Sequence, residues 1–260
     1  MVLDFQGVTK RFGDGPAAVM AIDDVTFSVD AGEFVAVVGP SGCGKSTLLS
    51  MIAGLYQPTY GTVRISGEEV VGPNYHVGFM LQKDLLLPWR SIISNVKFGL
   101  EGRGVSKAER AARAEQELMR CHLSDFALYY PYQLSGGMRQ RAALARTLAI
   151  DPEIILLDEP FSALDAQTKL ILQDSFATTI SEAGKTSLLI THDLAEAVLM
   201  ADRVVVLSER PGSIVAEVTI DLPDRARPLK RRVMPEVNQY ASELFAHLKL
   251  AEKAIGSKKQ

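Results

Sequence analysis

Short apolar runs, each ending abruptly in a polar residue or glycine, set the rhythm of this chain. Phe34-Val35-Ala36-Val37-Val38, Val77-Gly78-Phe79-Met80-Leu81, Ile154-Ile155-Leu156-Leu157, Ser187-Leu188-Leu189-Ile190 and Val204-Val205-Val206-Leu207 are too short for helices, and four of the five are continuously apolar or nearly so. Such runs suit strands of a parallel sheet covered on both faces. Between Val2 and about Val29 the pattern differs. Alternation, clearest in Val25-Thr26-Phe27-Ser28-Val29, is broken by turn signals at Gly13-Asp14-Gly15-Pro16 and Asp30-Ala31-Gly32. It predicts antiparallel strands with one face covered, and Thr62-Val63-Arg64-Ile65-Ser66 alternates in the same way and is expected to join them. Helical spacing fills the intervals. Thr47 to Ala53 follows a glycine turn, and Ser106 to about Cys121 opens on a capping box of Ser106 with Glu109 and sets Ala111, Ala114, Leu118 and Cys121 on one face. Ala142 to Ile150 is stopped by Asp151-Pro152, and a further helix, capped by Ser162-Ala163-Leu164-Asp165, runs to about Gly184. Asp193 and Glu196 begin another. Strands alternating with helices predict an α/β fold.

Beyond Arg210-Pro211-Gly212 the character changes. Ile214 to Ile220 suggests a hairpin strand, Pro223 to Pro235 is basic and broken by proline, and Glu236 to about Ile255 is helical. This tail reads as an appendage. Its Lys230-Arg231-Arg232 run is expected to be a solvated cluster, with contact to anionic lipid headgroups as the other reading.

Composition narrows the class. A chain of 260 residues that is 47% hydrophobic supports one large domain with an insertion or two small ones. A formal net charge of -3 gives no overall basic field for nucleic acid, so no nucleic-acid partner is expected. No apolar segment approaches the ~18 residues that span a bilayer, and Met1-Val2-Leu3-Asp4-Phe5 does not read as a leader, so a cytosolic chain is expected. Cys43 and Cys121 have no metal or redox spacing, and Cys43 reads as a small-residue filler.

The chemistry begins at Gly39-Pro40-Ser41-Gly42-Cys43-Gly44-Lys45-Ser46, which fits G-x-x-x-x-G-K-[ST] at every fixed position and stands between a strand and a helix. Backbone N–H groups and a helix start converge there on phosphates, Lys45 adds charge, and the Ser46 hydroxyl is suited to Mg²⁺. Leu134-Ser135-Gly136-Gly137 opens a second helix and makes a second, weaker anion-binding end. Asp158 and Glu159 follow a buried strand, at the sheet edge where open α/β folds place ligands. There one carboxylate can hold a metal and its neighbour can activate water. His192 follows the next strand in the same way, in position for a γ-phosphate contact, whereas His76, His122 and His247 read as ordinary residues. Phe12 is either a loop anchor in the core or a stacking surface for a base. Leu85-Leu86-Leu87-Pro88-Trp89, directly after Gln82, is either core packing or a protein contact with Trp89 as its anchor.

This set of motifs, in this order, closely resembles the nucleotide-binding subunits of ATP-binding-cassette transporters over nearly all of residues 1 to 210. Leu134-Ser135-Gly136-Gly137 is the diagnostic element. The resemblance implies a P-loop NTPase core with a parallel sheet, an N-terminal antiparallel β subdomain, an inserted α-helical signature subdomain at about 88–151, and a C-terminal extension over 211–260. It implies ATP and Mg²⁺ as ligands, ATP hydrolysis, and a head-to-tail homodimer. In that dimer each ATP lies between Gly39 to Thr47 of one copy and Ser135 to Gly137 of the other. By resemblance, Lys45 and Ser46 hold phosphates and Mg²⁺ and Asp158 supports the metal through water. Glu159 is the general base, His192 and Gln82 complete the γ-phosphate and metal environment, Phe12 stacks on the base and Asp165 couples the two sites. Met138 stands where the family often has glutamine, and Phe12 where it often has tyrosine. Leu85 to Trp89, Pro131 to Arg141 and Arg210-Pro211-Gly212 look like the importers of nitrate, sulfonate and taurine. That implies membrane-spanning permease subunits contacted near Leu85 to Trp89, a solute-binding protein met only indirectly, and a place on the cytoplasmic face of the inner membrane. A P-loop kinase or GTPase leaves Leu134 to Gly137 without a role, and the guanine-reading Asn-Lys-x-Asp is absent. A soluble cassette serving translation or nucleic acid would be expected to carry a second phosphate loop or long heptads, and neither occurs.

Overall fold

The computed structural model describes residues 1–256. Two sheets and a set of helices form three layers. Strands β1 (Leu3–Phe12) and β2 (Val19–Val29) pair antiparallel, and after β3 (Phe34–Val38) and helix α1 (Lys45–Ile52) the chain returns as β4 (Tyr60–Ile65) and β5 (Glu68–Glu69). The first sheet has the order β2-β1-β4-β5 and is antiparallel throughout. The alternating stretch therefore forms the structure its pattern predicts. Phe12, expected among turn residues, is instead the last residue of β1.

The second sheet is built from β3, β6 (Val77–Met80), β7 (Ile154–Asp158), β8 (Thr186–Ile190), β9 (Arg203–Leu207) and β10 (Ile214–Thr219) in the order β10-β9-β3-β8-β7-β6. All pairs are parallel except β10 with β9. Continuous apolar strands are required because this sheet is covered on both sides. Val35, Val37, Leu156, Leu188, Ile190 and Val205 face one core with α1 and the first sheet, while Phe34, Ala36, Ile155, Leu157, Leu189, Val204 and Val206 face a second core with the helices. That alternation is the period of two expected of a strand.

Between β6 and β7 lie α2 (Ile92–Glu101), α3 (Lys107–Arg120) and α4 (Gly136–Ala149). Ser106 caps α3 by accepting the Glu109 N–H, and Ala114, Leu118 and Cys121 are buried as the helical spacing predicts. Helices α5 (Ala166–Glu182) and α6 (Leu194–Met200) connect the later strands.

The C-terminal segment is stitched into the fold, which corrects its reading as an appendage. Strand β10 extends the second sheet, and α7 (Pro228–Arg231) and α8 (Glu236–Gly256) follow. Val237 and Leu244 of α8 enter the helix-side core. The expectation of a solvated basic cluster fails at Arg231, which is only 1% exposed. Its guanidinium donates to the carbonyls of Val198 and Ala201 at 3.1 and 2.8 Å, and to Leu222 and Pro223 at 2.5 and 2.8 Å. Carbonyls at the end of a helix have no intrahelical partner, and here an arginine from 30 residues onward satisfies those of α6. Burial pulls its guanidinium below the usual arginine range.

Candidate nucleotide site

The glycine loop between β3 and α1 owes its shape to backbone that side chains rarely tolerate. Gly44 has φ +109°, and a Cβ there would lie 2.5 Å from Ile22 Cδ1. It is also the N-cap of α1 and offers no side chain, so the first N–H groups of that helix are left for an anion. Lys45 is buried beneath the loop, where Nζ donates to the carbonyls of Gly39 at 2.7 Å and Pro40 at 2.9 Å. Cys43 is buried and its thiol is pushed up by that burial, in keeping with a filler role. Burial pushes the Cys121 thiol up to about 12.

Sheet register assembles the rest. Parallel pairing sets Asp158 opposite Ile190, so the residues just beyond, Glu159 and His192, emerge side by side at the same carboxyl edge as the loop after β3. Asp158 Oδ1 lies 3.3 Å from Ser46 Oγ. Burial raises the Asp158 carboxyl above its usual range, and Glu159 adds to this, against the opposing pull of Ser46 and Lys45. Glu159 has φ +47°, a left-handed conformation uncommon for a residue other than glycine. Its N–H donates to the Ile190 carbonyl at 3.0 Å, and Oε2 lies 3.0 Å from His192 Nδ1. His192 is 61% exposed, so this edge faces outward. Lys169 of α5 bonds both Asp193 at 2.8 Å and Glu196 at 2.7 Å, which fixes the start of the helix that follows His192.

A cleft of about 330 Å³ runs along this edge, lined by Phe12, Ser41, Gly42, Gly44, Lys45, Ser46, Thr47 and Glu159. Phe12 is half-buried and meets Tyr56 edge to face with ring centroids 5.3 Å apart. Sequence reasoning missed three lining residues: Val19, Ala21 and Arg210. A larger cavity of about 660 Å³ lies elsewhere, bounded by α4, α5, His122 and Arg227. The smaller cleft is the one that gathers the phosphate loop and a carboxylate.

The chain does not bring Ser135, Gly136, Gly137, Gln82 or Asp165 into that cleft. Ser135 caps α4, its hydroxyl accepting the Met138 N–H at 3.3 Å, with Gly136 half-buried and Gly137 packed against Thr168 and Leu172. Asp165 caps α5 by accepting the Thr168 N–H at 3.0 Å, and that bond lowers its carboxyl from the usual range. Gln82 connects to the cleft indirectly. Its Nε2 donates to the Ser162 hydroxyl at 3.1 Å, which donates to the Glu159 carbonyl at 2.9 Å. The loop beyond Gln82 is tied to the helices: Arg146 donates to the carbonyls of Asp84 and Leu85, Arg139 pairs with Asp84, and Asn95 accepts the Leu87 N–H. In the run that had two readings, Leu86 is buried, whereas Leu85 is 54% and Trp89 72% exposed.

Strand, glycine loop, helix and the neighbouring carboxylates at the carboxyl edge of a parallel sheet define a P-loop nucleotide hydrolase. A profile of the ABC transporter family matches residues 22–162. The chain is 47% identical over 247 residues to an uncharacterized ABC transporter ATP-binding protein of Methanocaldococcus jannaschii, covering 95% of this chain and 91% of the relative. It is 45% identical to the taurine import ATP-binding protein TauB of Yersinia pestis, covering 86% of both, and 41% identical to the nitrate import ATP-binding protein NrtD of Synechocystis, covering 96% of both. A dimeric ATP-binding cassette solved in a post-hydrolysis state with ADP and Pi superposes with a TM-score of 0.73 at 33% identity, covering 85% of this chain and 99% of that one. The chain belongs to the ABC transporter family and is an ATPase cassette of that family.

Proposed function

We propose that this subunit hydrolyses ATP to energise import of a small solute of the nitrate, sulfonate or taurine kind, as one half of a head-to-tail homodimer. One observation carries the dimer: Ser135 to Gly137, a helix start with an exposed serine and a half-buried glycine, lie outside the cleft that holds the phosphate loop. A second chain facing the first would supply them, and a solved relative is a dimer. Similarity to TauB and NrtD supports the importer reading.

Within the cleft the backbone N–H groups of Gly42 to Thr47 and Lys45 would bind the phosphates, with Phe12 against the base. Lys45 has to leave the Gly39 and Pro40 carbonyls to do so. The Ser46 hydroxyl and Asp158 carboxylate are hard oxygen donors at adjacent positions, and no cluster of three or more His, Cys, Asp and Glu occurs among the described residues. That donor set fits Mg²⁺, which keeps water and takes phosphate oxygens. When bound, the ion neutralises charge on the terminal phosphates. Gln82 would add a third donor, and Glu159 would take the proton of the attacking water while His192 steadies its carboxylate. Asp165 would connect the paired sites.

Mixed dimers test the arrangement. A Lys45→Ala chain combined with a Gly136→Asp chain keeps one composite site free of both changes, so trapped ATP per dimer should exceed that of either variant alone. Equal, negligible trapping in all three samples would defeat the sandwich.

The same subunit would meet its permease, in the inner membrane, through Leu85 and Trp89, and the solute-binding protein only through that permease. No helix among the described residues is long and apolar enough to cross a membrane. Trp89→Ala should weaken co-purification with the membrane partner by about 2 kcal/mol or more, the scale of a central aromatic anchor. The melting temperature of the isolated subunit should be unchanged, because Trp89 is exposed. Normal co-purification would remove Trp89 from the contact.

A further inference from the structure

We infer that Arg210 is a nucleotide-binding residue, contacting the phosphates of ATP from the side opposite Glu159. The inference rests on the reading of the 330 Å³ cleft as the ATP site. Arg210 lies in the loop between β9 and β10, and that loop is hydrogen-bonded to β2 and packed against the phosphate loop at Cys43. The Gly212 N–H donates to the Ala21 carbonyl at 2.9 Å, and the Asp23 N–H donates to the Gly212 carbonyl at 3.0 Å. A Cβ at Gly212 would collide with the Cys43 carbonyl oxygen, so only glycine permits this approach. Ser208 holds the turn from within, its hydroxyl donating to the Pro211 carbonyl at 3.1 Å and accepting the Ser213 N–H at 3.0 Å.

What this fastening presents is a cation. Lys45 and Arg210 are the two positive side chains on the cleft lining. Lys45 is engaged with two carbonyls, whereas the exposed Arg210 side chain makes no hydrogen bond or ion pair among the described residues. A guanidinium offers planar paired donors to phosphate oxygens, and it needs no displacement from other partners here. Strand order gives the direction of approach. β9 and β8 flank β3 on opposite sides, and β7 lies beyond β8. Glu159 and His192 therefore come from one side of the phosphate loop and Arg210 from the other, so Arg210 binds nucleotide without touching the attacking water.

The full-length chain tests this by nucleotide titration and steady-state kinetics. Arg210→Ala should weaken ATP and ADP alike by about 5–20-fold, as loss of a charge-assisted bond does. Arg210→Lys should recover part of that loss, and Arg210→Glu should exceed it. The effect should appear in KM rather than kcat, and the gap from the parent chain should narrow as KCl rises toward about 0.5 M. Wild-type affinity and KM in Arg210→Ala would overturn the assignment, and a loss indifferent to salt would overturn the phosphate contact. Lys45→Ala, measured alongside, separates the two readings. If it too binds ATP normally, the cleft is not the nucleotide site and both fall. If it loses ATP while Arg210→Ala does not, only the role of Arg210 falls.

Discussion

Replacing Glu159 by glutamine is expected to lower ATP turnover by roughly 10²–10⁴-fold, with ATP affinity held within about three-fold. Glutamine keeps the length and planarity of the side chain and still reaches His192, now 3.0 Å from the carboxylate. It cannot accept a proton from water. Nor does the change disturb the backbone, because glutamine meets φ +47° no better and no worse than glutamate. Binding is expected to survive because the proposed phosphate contacts come from Gly42 to Thr47. Phosphate release under single-turnover conditions beside equilibrium ATP binding measures both quantities. Near-normal release would take the general-base role away from Glu159, and a collapse in affinity would mean that the residue shapes the loop instead.

The second large effect is on folding. Arg231→Ala is expected to destabilise the protein by about 3–5 kcal/mol, because it strands several buried carbonyls and empties a closed site. For a chain of this size that is a fall of at least ~6 °C in melting temperature. Arg231→Met separates the two causes. It refills the volume without restoring donors, so it should recover only part of the loss. Melting of Arg231→Ala within ~1 °C of the parent chain would mean that water replaces the guanidinium at no cost.

These two residues differ in how far the sequence reveals them. Glu159 is legible because it stands directly after Asp158, which follows four apolar residues, and a strand buried on both faces brings the first polar residues beyond it to the sheet edge. The same reasoning found Phe34 to Val38, Asp158 and His192. Arg231 is not legible, since a run of Lys230-Arg231-Arg232 looks the same whether or not unpaired helix-end carbonyls wait nearby, and only the packing of α7 against α6 decides that. In the sequence Arg210 stands out only as part of Arg210-Pro211-Gly212, a turn that resembles one in certain importers. Its place in the cleft depends on β9 being the neighbour of β3, and strand order is not written in local periodicity. Leu85 to Trp89 divided: Leu86 went inside and Trp89 outside, an outcome that an unpatterned apolar run leaves open.

The strand order also sets a schedule for the growing chain. Phe34 to Val38 is made early, yet its two sheet neighbours begin at Thr186 and Arg203, the nearer about 150 residues later. At roughly 5–20 residues per second, a ribosome takes about 8–30 s to cover that gap. During that interval the most apolar strand in the first fifth of the chain has no partner on either edge. The phosphate loop that hangs from it is thus among the first motifs synthesised and among the last to acquire its shape, and a chaperone that shields Phe34 to Val38 would be guarding the site before the site exists.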